Sequence, residues 1–259
     1  MRHGHSRDRV NVLLDLWGVL LDPDRMQREY GLELARRMRE RFGGTQDGWL
    51  RAHTAAWMEY VRRIDAADWS REPWSETVDR LDADFAVGIL ERMGVSWRPP
   101  DGVAFSRELD VGVMSGIDAR FPDARTAVER LRSAGHRVYV ATQATESNAL
   151  GALTGAGLLG SLNGLFTGTS QNSSKSRMEY WNRIRVTLGE PGLPGVVVDD
   201  RADYLAAAAS AGYVALLLDR EAIYAAEPMP PHVRATLRNL TALPHFVEVL
   251  GTQGRDAAT

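Results

Sequence analysis

Val10-Asn11-Val12-Leu13-Leu14-Asp15-Leu16-Trp17-Gly18 is the stretch whose reading decides the fold. The run from Val10 to Leu14 is short, apolar and closed by a carboxylate, with Gly18 following. That is the pattern of a buried strand that delivers Asp15 to its C-terminal tip. Two later runs repeat it: Arg137-Val138-Tyr139-Val140-Ala141 leads into Thr142, and Gly195-Val196-Val197-Val198 leads into Asp199-Asp200. Each follows apolar residues at helical spacing, Ala127, Val128 and Leu131 before Gly135, and Tyr180, Ile184 and Leu188 before Gly189. Strands that alternate with helices and have no wet face predict an α/β fold whose parallel sheet is covered on both sides. Ligands of such sheets sit beyond the carboxyl ends of the strands.

Between Asp22 and about Asp110 the pattern changes to amphipathic helix without a strand: Met26 to Phe42, Trp49 to Ile64 and Trp74 to Met93, ending in the breaker Pro99-Pro100-Asp101-Gly102. This predicts a helical insertion over residues 23–110, set into a core of residues 10–22 and 111–250, with flexible tails at 1–9 and 251–259. The insertion carries Trp49, Trp57, Trp69, Trp74 and Trp97, five of the chain's seven tryptophans. Their rings are expected to form the core of a small helical domain, the sharper alternative being that one or two line an apolar substrate pocket.

Composition narrows the partners. The 259 residues carry a formal net charge of -3, which offers no basic field for nucleic acid or anionic lipid. No apolar stretch approaches the length of a membrane span, and the run after the basic start is too short for a signal-peptide core. There is no cysteine, so thiolate and disulfide chemistry are excluded, in keeping with a reducing cytoplasm. A soluble cytoplasmic protein with a small-molecule substrate is the expectation, and a homodimer is left open. Gly155-x-Gly157-x-x-Gly160 matches a dinucleotide fingerprint by letter, but no strand precedes it, so it reads as a helix end and turn. None of the six histidines has a partner at metal-ligand spacing.

Taken in order, four elements resemble the motifs of the haloacid dehalogenase (HAD) superfamily. Asp15-Leu16-Trp17-Gly18-Val19-Leu20 is similar to D-x-D-G-T-L, Thr142 closes a strand as the second motif's Ser or Thr does, Lys175 precedes a helix, and Val196-Val197-Val198-Asp199-Asp200 matches the fourth motif. Any one alone has a plainer reading: a strand-end Asp caps a helix or turn, Asp199-Asp200 favour the dipole of the helix that follows, and Lys175 sits in polar loop sequence. The resemblance implies a Rossmann-like HAD core with an inserted helical cap and a hydrolase with Asp15 as nucleophile. It also implies Thr142 and Lys175 as its catalytic partners, substrate contacts at Trp17, Gly18 and Gln143, and Mg²⁺ held by Asp15, Asp199, Asp200 and the Trp17 main-chain carbonyl. A carboxylate nucleophile splits one hard displacement into two easier ones, and an oxygen-rich site suits Mg²⁺.

The motif departs from the family at Trp17. Phosphatases carry a second Asp there as general acid, and an indole cannot move that proton at neutral pH. L-2-haloacid dehalogenases, with D-x-Y-G-T-L, place an aromatic at the same position, and halide leaves without protonation. Motif four points the other way, because those dehalogenases use no metal and replace the acidic pair that Asp199 and Asp200 retain. Val19, Gln143 and Tyr204 stand where Thr, Asn and Asn are usual. Three functions follow: a Mg²⁺-dependent hydrolase of a small phosphorylated or activated substrate, a metal-free C-halogen hydrolase, and a catalytically inactive HAD domain kept for binding.

Overall fold

The strand that opens the sequence lies in the middle of the sheet. In the structure, a computed structural model that describes residues 9–67, 69, 73–189, 195–225 and 228–256, β1 (Asn11–Leu14) pairs in parallel on both sides. One neighbour is β2 (Arg137–Ala141) and the other β4 (Gly195–Asp199). With β3 (Gly164–Phe166), β5 (Val214–Leu218) and β6 (Val233–Leu237) they form one six-stranded sheet in the order β3-β2-β1-β4-β5-β6, every pair parallel. The expected tail at 1–9 lies outside the described residues except for Arg9.

Strand side chains alternate between faces, so each strand feeds two cores. Val12, Leu14, Val138, Val140, Val196 and Val198 join one apolar cluster, while Leu13, Tyr139, Ala141 and Val197 join the other. The first face is covered by α5 (Ala124–Ser133), α6 (Glu146–Gly155) and α10 (Leu243–Asp256). On the second face lie α8 (Met178–Leu188) and α9 (Ala202–Ser210) through Tyr180, Trp181, Ile184, Leu205 and Ala208. Each Leu or Val so buried contributes about 1.5–3 kcal/mol. The short α7 (Gly168–Gln171) follows β3.

Four helices separate β1 from α5: α1 (Pro23–Phe42), α2 (Gln46–Ala66), α3 (Trp74–Arg92) and α4 (Gly102–Met114). α1 begins where Asp22 accepts from the Arg25 N–H with Pro23 in the first turn, and α2 where Thr45 accepts from Gly48. The Pro99 to Gly102 breaker does not end the helical run as expected, because Asp101 caps one more helix, accepting from the N–H groups of Val103 and Ala104. The boundary drawn at 110 therefore falls inside α4. Met26, Leu34, Met38, Trp49, Phe105 and Val113 belong to the same apolar cluster as the first face of the sheet.

The tryptophans divide. Trp49 is buried, its indole N–H on the Gly43 carbonyl, but Trp57 and Trp97 are 39% and 38% exposed, so the expectation of a common tryptophan core is corrected. Trp69 and Trp74 pack on each other, their ring centroids 4.4 Å apart. At the far end, where a tail is expected from 251, the backbone stays helical to Asp256. α6 ends at Gly155, and Gly157 adopts the left-handed φ of +61°, so the glycine triplet is a helix end and turn. Among the described residues no helix is long and apolar enough to cross a membrane.

Candidate active site

Parallel register brings the carboxyl ends of β1, β2 and β4 to one edge: Leu14 lies level with Val140 on one side and Val198 on the other. Asp15 follows Leu14 directly, its N–H donating to the Val198 carbonyl at 2.9 Å, so the ladder carries one residue beyond the strand and fixes where the carboxylate starts. Asp199 ends β4, and its Oδ1 accepts from the Arg201 N–H at 3.0 Å. Asp200 turns toward Gly18. That glycine has φ +78°, and a Cβ on it would overlap the Asp200 carboxylate, so both the backbone and the close approach require glycine.

Lys175 ties the edge together. Its Nζ donates to Asp15 Oδ1 and to Asp199 Oδ2, each at 2.6 Å, and the lysine and Asp199 are fully buried. A buried ammonium is stable only when paired and hydrogen-bonded, as here. Burial works against its charge, but Asp15 and Asp199 outweigh burial and hold its pKa above the ordinary lysine value. Burial raises the Asp15 carboxyl to about 7, with Lys175 pulling it down and Asp199 pushing it up. Asp200 is raised to about 6 by burial and then by Asp199. The oxygens that Asp15, Asp199 and Asp200 can offer a metal lie within 4.8 Å of one another.

Of the sequence-derived site residues, the structure joins Asp15, Lys175 and Asp199 by hydrogen bonds and sets Asp200 and Gly18 against each other. Gln143 sits behind Lys175, its Oε1 accepting from the Lys175 N–H at 2.7 Å and from Ser174 Oγ at 3.2 Å. Thr142 lies at the end of β2, 1% exposed, with Oγ1 accepting from the Ala144 N–H at 3.2 Å, which leaves its hydroxyl proton free to donate. No hydrogen bond among the described residues joins Thr142 to the carboxylates. The Trp17 side chain is half-buried against the main apolar cluster.

Several supporting groups are invisible to a motif search. Trp181 donates its indole N–H to the Lys175 carbonyl at 2.8 Å, and Tyr180 Oη donates to the carbonyls of Thr142 and Phe166. In the sequence Tyr180 reads only as part of an apolar helical stripe, and Trp181 carries no signal of its own. The ring of Tyr204, an outlier in the motif, lies 5.2 Å from Lys175 Nζ and 4.3 Å from the Arg201 guanidinium. Arg220 reaches across 202 residues to the Gly18 carbonyl and also bonds the Val19 carbonyl, while Asp123 holds its guanidinium by two oxygens. It thus anchors the turn after Asp15.

A comparison with curated proteins gives no match. Among solved structures, the chain is similar to the magnesium-bound HAD hydrolase YfnB of Bacillus subtilis (15% identity, 93% of this chain and 99% of that one, TM-score 0.59). A HAD phosphatase from Thermococcus onnurineus follows at 17% identity, 92% and 97% coverage and TM-score 0.57. The L-2-haloacid dehalogenase of Xanthobacter autotrophicus gives 13%, 92% and 97%, and 0.53. Such identities establish the shared fold. The family is shown by a separate match: residues 11–212, from β1 to just past the end of α9, match the haloacid dehalogenase-like hydrolases, and the chain belongs to that family.

Proposed function

We propose that this chain is a Mg²⁺-dependent hydrolase that attacks a small phosphorylated or otherwise activated substrate through Asp15. The observation that carries this reading is charge. Three carboxylates share one patch, and Lys175 is the one cation that the described structure pairs with them. Two negative charges remain for a divalent ion, and hard oxygen donors suit Mg²⁺. Asp15, Asp199, Asp200 and the Trp17 carbonyl would hold it, and when bound it supplies charge compensation to an anionic substrate. The residues do the rest. Asp15 forms the new bond to the electrophilic centre as the leaving group departs, Lys175 keeps that carboxylate oriented, and water then cleaves the covalent aspartyl intermediate, an aspartyl phosphate for a phosphorylated substrate, to release the product and restore Asp15. Thr142, whose hydroxyl proton is free, would donate a hydrogen bond to the transferring oxygens. Trp17 offers no proton, which favours substrates with a stable leaving group. The inserted helices α1 to α4 serve as a cap that excludes water, and the cytoplasm is the compartment that fits.

A second reading, metal-free hydrolysis of a C-halogen bond, is favoured by the aromatic ring at position 17 and by the fold shared with the Xanthobacter dehalogenase. One experiment separates the two: phosphate and halide release over a substrate panel, in Mg²⁺ and in EDTA, on wild type and Trp17→Asp. Expected are Mg²⁺-dependent phosphate release and a gain of about 10²- to 10⁴-fold for the variant on an alkyl phosphate, smaller on a nitrophenyl ester. Halide release that survives EDTA establishes the second reading instead. A clean failure across the panel leaves a binding domain without turnover.

A further inference from the structure

α3 lacks the cap that the other helices of the insertion carry. Its N-cap position is Pro73, which has no side-chain acceptor, so the first-turn N–H groups need a partner from elsewhere. Asn172, 97 residues away on the core, supplies it: its Oδ1 accepts from the Ser75 N–H at 3.0 Å. Asn172 has the left-handed φ of +43° at the end of α7, a conformation that asparagine tolerates better than most side chains. Beside it, Ser75 Oγ donates to the Thr169 carbonyl at 2.9 Å. Trp74 lies so close to α7 that a Cβ on Gly168 would sit 2.6 Å from its indole nitrogen. On the far side, Arg177 donates to the Trp69 carbonyl at 2.7 Å.

These contacts bracket one residue. Asn172 precedes Lys175 by three positions and Arg177 follows it by two, in a stretch that is neither helix nor strand. We propose that Asn172 is a positioning residue: by capping α3 from outside its own helix, it ties the docking of the insertion to the order of the loop that presents Lys175. The proposal rests on the reading that Lys175 and Asp15 do the chemistry. The core also holds Lys175 directly, through Gln143 and Trp181, so the coupling is a distinct claim about the loop around it.

The test uses the full chain with Asn172→Gly, which keeps the left-handed backbone comfortable while removing the acceptor, and Asn172→Asp, which keeps an acceptor. Amide hydrogen exchange is followed in the first turn of α3 and in residues 173–177, alongside kcat and KM. In Asn172→Gly both segments should exchange faster by roughly 2- to 30-fold, the range of one lost cap. kcat should fall by a comparable factor while KM moves less, and Asn172→Asp should restore all of it. Faster exchange in α3 alone, no change in either segment, or an unchanged kcat with both segments loosened would each overturn the proposal. If no substrate turns over at all, the reading of the site fails, and the exchange of the two segments still decides whether they are coupled.

Discussion

At the sheet edge, Lys175 lies 2.6 Å from both Asp15 and Asp199; in the helical insertion, the partly buried acids Asp82 and Asp110 have tyrosine hydroxyls as partners instead. Tyr60 Oη donates to Asp82 at 2.7 Å and Tyr30 Oη to Asp110 at 2.9 Å, and among the described residues no ion pair reaches either carboxylate. Arg107, the nearby cation, is spent on Asp79. Without a paired cation, burial pushes Asp82 up to about 8, with Asp110 adding to the push, and burial raises Asp110 to about 6. Burial raises carboxyl groups in both clusters; what differs is the partner, a hydrogen-bonded ammonium in the first and neutral tyrosine hydroxyls in the second.

The comparison breaks most sharply at Asp15. Asp15→Asn should lower turnover by about 10⁴- to 10⁶-fold, the scale of losing a covalent nucleophile. Its thermal midpoint should stay near wild type or rise, because like charge is removed beside Asp199 and Asp200 while the Asn carbonyl can still accept from Lys175. Residual turnover near the wild-type rate would show that another group attacks. Next in size is Lys175→Met. It leaves two carboxylates buried without their cation and should cost about 3–5 kcal/mol in denaturant unfolding. A cost under about 1 kcal/mol would mean that the two clusters manage charge alike.

The smallest effect belongs to Asp82. Its folded pKa lies above its unfolded one, so the folded state holds a proton that the unfolded state releases above about pH 4. The stability tied to that proton is complete below pH 4 and is lost as pH rises toward about 8. Asp82→Asn keeps the Tyr60 hydrogen bond without the titration. The fall in thermal midpoint between pH 5 and 8 should therefore be shallower in the variant than in wild type, with Asp79, Asp110 and Arg107 still in place. Equal slopes would show that Asp82 is ionised throughout this range.

A carboxylate at a strand end is not enough to mark a nucleophile. β5 ends in Asp219 just as β1 ends in Asp15, and Asp219 is 3% exposed. Yet Asp219 accepts from the N–H groups of Ile223 and Tyr224 and from Arg238, the work of a turn residue. What sets Asp15 apart is its neighbours, and the ordered recurrence of Thr142, Lys175 and Asp199-Asp200 made those legible. The three motif-bearing strands stood out as apolar runs; β3, three residues long, gave no periodic signal. α4 stayed hidden because Asp101 reads as part of a breaker until its side chain is seen capping a helix. Arg220 and Asn172 were beyond reach for another reason: each acts on backbone groups far away in sequence, and neither bond leaves a pattern in the chain.

The central place of β1 also sets a timetable for synthesis. β1 leaves the ribosome first, yet its neighbours are β2 and β4, and Lys175 lies 160 residues downstream of Asp15. At about 5–20 residues per second, that separation corresponds to about 8–30 s of translation. Until β2 follows, the nascent chain carries the apolar run Val10 to Leu14 with no neighbouring strand to pair with, a binding stretch for chaperones, and Asp15 gains its lysine only after β2 and β3 have been made.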